Sequence, residues 1–196
     1  FLLAEQLDCS EFTTRMNVLL EMPNILIACH GWGHRCWSAW PEDVEGFDDA
    51  LVESNKILQQ YCGDNLRPWF RAPAGYIAPW MAPVLAKNGF KVDSSVNPSW
   101  LVKRKAGKAN TWSKVEQSMK DNKIVEISWK TKWSLPINGP ALHIPILKTI
   151  ANGTWKSSPV VDSLDNSLKI NGQITALYWH LLDHSRKQST WSPPLP

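Results

Sequence analysis

No stretch of this chain stays apolar over the ~20 residues that a membrane-crossing helix requires. Its 10 glycines and 14 prolines follow no period, which excludes collagen-like and low-complexity readings. Charge of one sign is lacking too: 21 basic against 18 acidic residues leave a formal +3, too little to name a nucleic acid or an acidic surface as partner. Cys9, Cys29, Cys36 and Cys62 form no CxxC pair, and four cysteines permit three pairings among which the sequence does not choose. Tyrosine (3) and phenylalanine (5) are sparse. The opening Phe1-Leu2-Leu3-Ala4 has no Met and no basic flank, so the expectation is a strand entered partway rather than a signal peptide, with the compartment left open.

What is present is enough apolar residue, 43% against 20% charged over 196 positions, to bury one substantial core. The expectation is a single domain over residues 1–196, with 185–196 as an irregular tail because consecutive prolines exclude helix and central strand there. Tryptophan is abundant at 12 residues. Indoles serve both cores and sugar-stacking clefts, and core packing is the commoner use.

Strand-like and helix-like segments alternate throughout. Helical spacing of Phe12, Met16, Leu19 and Leu20 predicts a helix over Glu11 to Glu21, stopped by Pro23. A second helix is predicted from Pro41, through Val44, Phe47, Leu51 and Leu58, to Gly63. Shorter helices are predicted over Pro79 to Asn88 and Val115 to Lys120. Strands are predicted at 25–28, 66–71, 90–93, 124–127 and 174–180. Repeated strand–helix–strand units imply parallel pairing, hence an α/β layered or barrel fold. In such folds functional groups gather at the C-terminal strand ends, where His30, Arg71, Asp93 and His180 all fall.

His30-Gly-Trp-Gly-His34 is the sharpest local signal. Two imidazoles four apart can reach one cation, neutral imidazole suits zinc and its neighbours, and the two glycines place the pair on a strand-to-helix turn rather than inside a helix. Two unrelated loop histidines, or a Cys/His zinc knot with Cys29 and Cys36, are the rival readings; the knot's spacing fits no common structural-zinc pattern. Phe70-Arg71-Ala-Pro-Ala-Gly75-Tyr76 puts a guanidinium fork just past a strand, stiffened by Pro73 and freed by Gly75, able to face a buried carboxylate. Asp93, ahead of Trp100, is either a strand-end carboxylate or a turn cap. His180 can act as a general acid near neutral pH, or be a satisfied structural histidine. Asp48-Asp49 and the run Lys103-Arg104-Lys105 with Lys108 are read as solvated charge. Asn152-Gly-Thr154 matches a glycosylation acceptor, a frequent pattern.

Taken in order, these segments resemble the polysaccharide deacetylases with NodB-type homology, carbohydrate esterase family four. His30-x-x-x-His34 is similar to that family's metal-binding histidine pair, and Arg71-Ala-Pro-Ala-Gly75 to its Arg-x-Pro-x-Gly segment. Asp93 with Trp100, His180, and Phe1 to Glu5 resemble further segments more loosely, the likeness spanning about residues 1–184. The resemblance implies a distorted (β/α) barrel and removal of acetyl groups from an acetylated carbohydrate. It implies a divalent metal, zinc first with cobalt, nickel or manganese allowed, on His30 and His34. It further implies that Arg71 holds a carboxylate base, that Asp93 orients His180 as the acid, and that Tyr76 and Trp100 contact substrate.

The family's Thr-Phe-Asp-Asp motif, which supplies the base and the third metal ligand, is not found on any strand of this sequence. Gly46-Phe47-Asp48-Asp49 imitates it but follows the histidine pair and lies on a helix. The expectation is that this motif precedes Phe1 and that residues 1–196 alone lack hydrolytic power. Two other classes stay open: a hydrolase of the same fold acting on cyclic imides, and a non-catalytic carbohydrate-binding domain.

Overall fold

A computed structural model describes residues 1–22, 25–158, 176–180, 183, 188 and 190–194. These fall into two compact units, the first of Phe1–Val96 with Arg104–Ile127, the second of Asn97–Lys103 with Ser128–Pro196.

The first unit is an α/β layer. Strands β1 (Ile27–Cys29), β2 (Leu66–Phe70), β3 (Val92–Asp93) and β4 (Val125–Glu126) pair in parallel, in that order, and Leu2 bridges Cys29 at the free side of β1. The parallel α/β class expected from the sequence is present. The described strands make an open row, and among the described residues they do not close into a barrel. Around the sheet run α1 (Ser10–Leu20), α2 (Val44–Cys62), α3 (Met81–Lys87) and α4 (Trp112–Asp121). Among the described residues no helix is long and apolar enough to cross a membrane.

Local chemistry explains the boundaries. Helix α2 starts at Val44 rather than Pro41 because the Asp43 carboxylate caps it, accepting from the Gly46 N–H at 3.0 Å. It ends where Gly63 takes a positive φ of 51°. Its buried residues Phe47, Leu51, Ser54, Leu58 and Cys62 recur every three or four positions, the stripe that faces the sheet. Phe47 meets Phe70 edge-on at 5.9 Å, and Phe70 meets Phe90 at 5.6 Å. Each such buried ring contributes roughly 1.5–3 kcal/mol. Asp48 departs from the solvated reading: it accepts from Lys87 Nζ at 2.6 Å and from Asn88 Nδ2 at 2.7 Å, tying α2 to the end of α3. Asp49 is exposed as expected.

The second unit holds a hairpin, β5 (Thr131–Lys132) with β6 (Leu135–Pro136), and helix α5 (Pro145–Lys156). Trp133 and Ser134 carry the positive φ angles that a two-residue hairpin turn demands. Ile137, Leu142, Ala151, Trp155 and Trp191 form its core, and the Trp155 indole donates to the Ile137 carbonyl at 2.8 Å. Trp191 thus anchors the otherwise irregular tail. Of the strand predicted over 174–180, residues 174 and 175 lie outside the described set. Ala176 makes a single parallel bridge to Trp129, and 177–180 form no strand. Asn152 of the acceptor pattern sits inside α5.

Candidate functional site

Parallel strands deliver their C-terminal ends to one edge, and three neighbouring ends in the first unit carry the candidate chemistry. At the end of β1 the chain turns through Gly31, whose φ of 92° excludes a side chain without strain. The turn is pinned by backbone: His30 N–H donates to Leu2 O at 2.8 Å, and Ala4 N–H to Gly31 O at 3.0 Å. His30 and His34 then stand with ring centroids 5.6 Å apart and planes at 72°. Gly33 has a different reason to be glycine: a Cβ there would lie 2.9 Å from Glu5 Oε2, so a carboxylate covers the turn between the histidines. Beside His34 opens a cavity of about 440 Å³ lined in part by Trp32, Arg35 and Trp37.

His30 Nδ1 lies 2.6 Å from the Arg71 carbonyl oxygen. A carbonyl only accepts, so Nδ1 carries the proton and Nε2 keeps its lone pair. Burial first, then the charges of the Phe1 amine, His34 and Arg71, lower the His30 pKa to about 4, which leaves the ring neutral at physiological pH. Neutral imidazole with a directed Nε2 suits a divalent cation. Among the described residues no three His, Cys, Asp or Glu side chains are grouped to hold one. The two imidazoles therefore stand without a third such side chain grouped with them among the described residues. Cys29 does not join them: burial pushes its thiol to about 12, and its Sγ accepts the Gly31 N–H at 3.3 Å.

Arg71 follows β2. Its N–H donates to Cys29 O at 3.0 Å, its Nε to Ser94 O at 2.8 Å, and its Nη2 to Ser94 Oγ at 2.9 Å. Ser94 Oγ donates onward to Ile127 O at 2.9 Å, so the arm is fixed from β2 across to the segment after β4. The turn Pro73–Gly75 holds Ala74 at a φ of 51°. Lys105 stabilises that conformation, its Nζ donating to Ala74 O at 2.6 Å and lying 5.3 Å from the Tyr76 ring. The reading of Lys105 as solvated charge is thereby corrected; partial burial lowers its pKa.

Asp93 is fully buried at the end of β3. Its carboxylate accepts from Ser95 N–H at 3.0 Å and Ser95 Oγ at 2.7 Å, and Ser95 Oγ accepts the Ala72 N–H at 2.7 Å. His180 belongs to the second unit. There its Nδ1 is 3.7 Å from Asp183 Oδ2, while His143 Nε2 is 3.3 Å from Asp183 Oδ1. The carboxylate facing His180 in that unit is Asp183. Trp100, also of the second unit, is 60% exposed. The structure thus brings together His30, His34, Arg71, Tyr76 and Asp93 in one unit, and His180 and Trp100 in the other.

Sequence reasoning missed Ser94, Ser95, Glu126 and Asp183. Glu126 left a trace, a lone acid inside the apolar run Ile124-Val125-Glu126-Ile127. The serines left none, since nothing in Asp93-Ser94-Ser95 separates a bonded hydroxyl from a solvated one.

These features define a class: an α/β protein with a histidine pair and a clamped arginine on adjacent parallel strand ends. Part of the chain is similar to the peptidoglycan deacetylase of Helicobacter pylori, 25% identical over 114 residues, which is 55% of this chain and 36% of that protein. The match spans well under half of that relative's length. No family model and no solved structure matches the chain.

Proposed function

We propose that this chain carries the site of a hydrolase that removes acetyl groups from an N- or O-acetylated carbohydrate, working with a divalent cation, zinc first. The observation that carries the reading is the 2.6 Å contact between His30 Nδ1 and the Arg71 carbonyl, which fixes the tautomer a metal ligand needs and joins the two sharpest motifs. The similarity to a peptidoglycan deacetylase supports it at a coarse level.

His30 and His34 would hold the cation, which when bound lowers the pKa of a water and stabilises an oxyanion. Arg71, held on Ser94, is the residue that would orient a carboxylate base. In the second unit, Asp183 faces His180 Nδ1, a carboxylate–imidazole pair of the kind that general acids use. Each unit carries one aromatic suited to sugar stacking, Tyr76 in the first and the exposed indole of Trp100 in the second.

The test is acetate release from N-acetylglucosamine oligosaccharides, with added zinc or cobalt. It compares the 196-residue chain with a form extended upstream to carry an Asp-Asp strand end. The short chain is expected to work at negligible rate, because a positioned base contributes on the order of 10²–10⁴-fold. The extended form is expected to be active and metal-dependent. Release of no acetate by either form, or hydrolysis of cyclic imides in its place, overturns the reading.

A further inference from the structure

We propose that Glu126 shares a single proton with Asp93, and that this acid pair is the support on which the Arg71 loop is positioned. The parallel register of β3 and β4 sets Asp93 directly beside Glu126. Residues so paired lie about 4.8 Å apart with side chains on the same face. Both carboxyl groups are enclosed: Asp93 is 0% exposed, and Glu126 Oε2 is shut away from solvent with no donor aimed at it. The donors nearby are already committed. Ser95 gives its N–H and its hydroxyl to Asp93, and Val96 gives its N–H to Glu126 Oε1 at 3.1 Å. Two carboxylates this close in a dry interior do not both ionise. A proton held between them satisfies the remaining oxygen and removes one charge.

The charges around the pair agree. Arg71, just after β2, favours a negative charge on Asp93. Glu116, from α4, disfavours one on Glu126. Burial raises the pKa of both acids, and the Asp93 charge raises that of Glu126 further. The pair then carries one negative charge facing one guanidinium, the arrangement of lowest electrostatic cost.

The connection to Arg71 is a chain of hydrogen bonds. Asp93 Oδ1 takes the Ser95 hydroxyl proton, and that hydroxyl takes the Ala72 N–H, one residue after Arg71. Ser94, which holds the guanidinium on its carbonyl and hydroxyl, lies between Asp93 and Ser95. Removing the proton places two charges under this loop. Removing the donor frees Asp93 to turn away from Ser95. Glu126 is a positioning residue in this scheme, acting through Asp93. The shared proton stands apart from the deacetylase reading; only the value of a fixed Arg71 rests on it.

The test uses the 196-residue chain and two readouts that need no substrate. Infrared spectroscopy at neutral pH should show the C=O stretch of one carboxylic acid, since exposed acids are ionised there. That band should vanish in Glu126→Gln and shift in frequency in Asp93→Asn, where the buried Glu126 keeps its proton but loses the carboxylate that accepts it. Hydrogen exchange at the Ala72 amide should stay at the wild-type rate in Glu126→Gln, which keeps a donor. In Glu126→Leu it should become about tenfold faster, with the Leu58 amide unchanged. Absence of the acid band in the wild type at neutral pH overturns the proposal, as does wild-type protection of Ala72 in Glu126→Leu. Should the leucine variant not fold, the wild-type spectrum and the glutamine variant still decide. Because no substrate enters either readout, failure here leaves the deacetylase reading standing, and failure of acetate release leaves the pair standing.

Discussion

The imidazole of His30 is fastened through Nδ1 to the backbone carbonyl of Arg71 at 2.6 Å, so two motifs 41 residues apart behave as one structural piece. The Nε2 face of the histidine and the direction of the arginine are set by the same strand ends, and disturbing one is felt by the other.

Cation binding should depend on that histidine. His30→Ala is expected to abolish retention of zinc or cobalt, since a single remaining imidazole on an exposed turn holds a divalent ion poorly. Elemental analysis after dialysis against the metal checks it. Equal metal content in wild type and variant would sink the assignment of His30 as a ligand.

Arg71→Lys keeps the charge but cannot make both bonds to Ser94, because an ammonium is not a planar fork. In any upstream-extended form that releases acetate, turnover should fall about 10–100-fold, the usual loss when an orienting partner is removed, with the Michaelis constant little changed. Steady-state kinetics separates the two. A change confined to the Michaelis constant would make Arg71 a substrate anchor instead.

The two glycines of the histidine turn should respond differently. Gly31→Ala forces a side chain onto a φ of 92° and is expected to cost about 1–3 kcal/mol, the range for strained backbone. Gly33→Ala meets only the end of the Glu5 side chain, which can swing aside, so its cost should be smaller. Urea unfolding of the two variants compares them directly, and equal losses would count against this distinction.

Stability of the metal-free chain should bend with pH in two opposing ways. The pKa of His30 is depressed from 6.5 to about 4, so between these values the unfolded chain binds more protons and stability falls as pH drops through that window. The acids Asp93 and Glu126 have raised pKa values, so the folded chain binds more protons and stability falls as pH climbs above about 4.5. Thermal unfolding from pH 4 to 9 in the presence of a chelator should show a maximum. His30→Gln should flatten the acid limb and Glu126→Gln the alkaline one. An unchanged curve in both variants would refute this origin of the pH dependence.

How much of this was legible in the sequence follows from what each residue leaves behind in a pattern. The parallel sheet was readable because Ile27, Phe70 and Val92 sit in apolar runs bounded by turn residues, and α2 because its apolar residues recur at helical spacing. His30 and Arg71 were readable because a glycine-rich turn and a proline turn frame them. Lys105 was misread, since its ammonium donates to Ala74, 31 positions away, and composition carries no record of that contact. Asp48 was misread likewise, its partners standing on α3 and just after it. The Asp93–Glu126 pair depends on strand register, which two-residue strands specify too weakly to read from a pattern.

The register of β1 against β2 carries a further consequence. Ala28 pairs with Arg67, but Cys29 pairs with Phe70, so β2 advances three residues while β1 advances one. Side chains alternate between faces with a period of two. The two residues gained by β2 therefore preserve parity, and Arg71 emerges with its arm on the Ser94 side and its carbonyl toward His30. Loss or gain of one residue within 67–70 would send the guanidinium to the opposite face of the sheet. A change by two would leave it where it is.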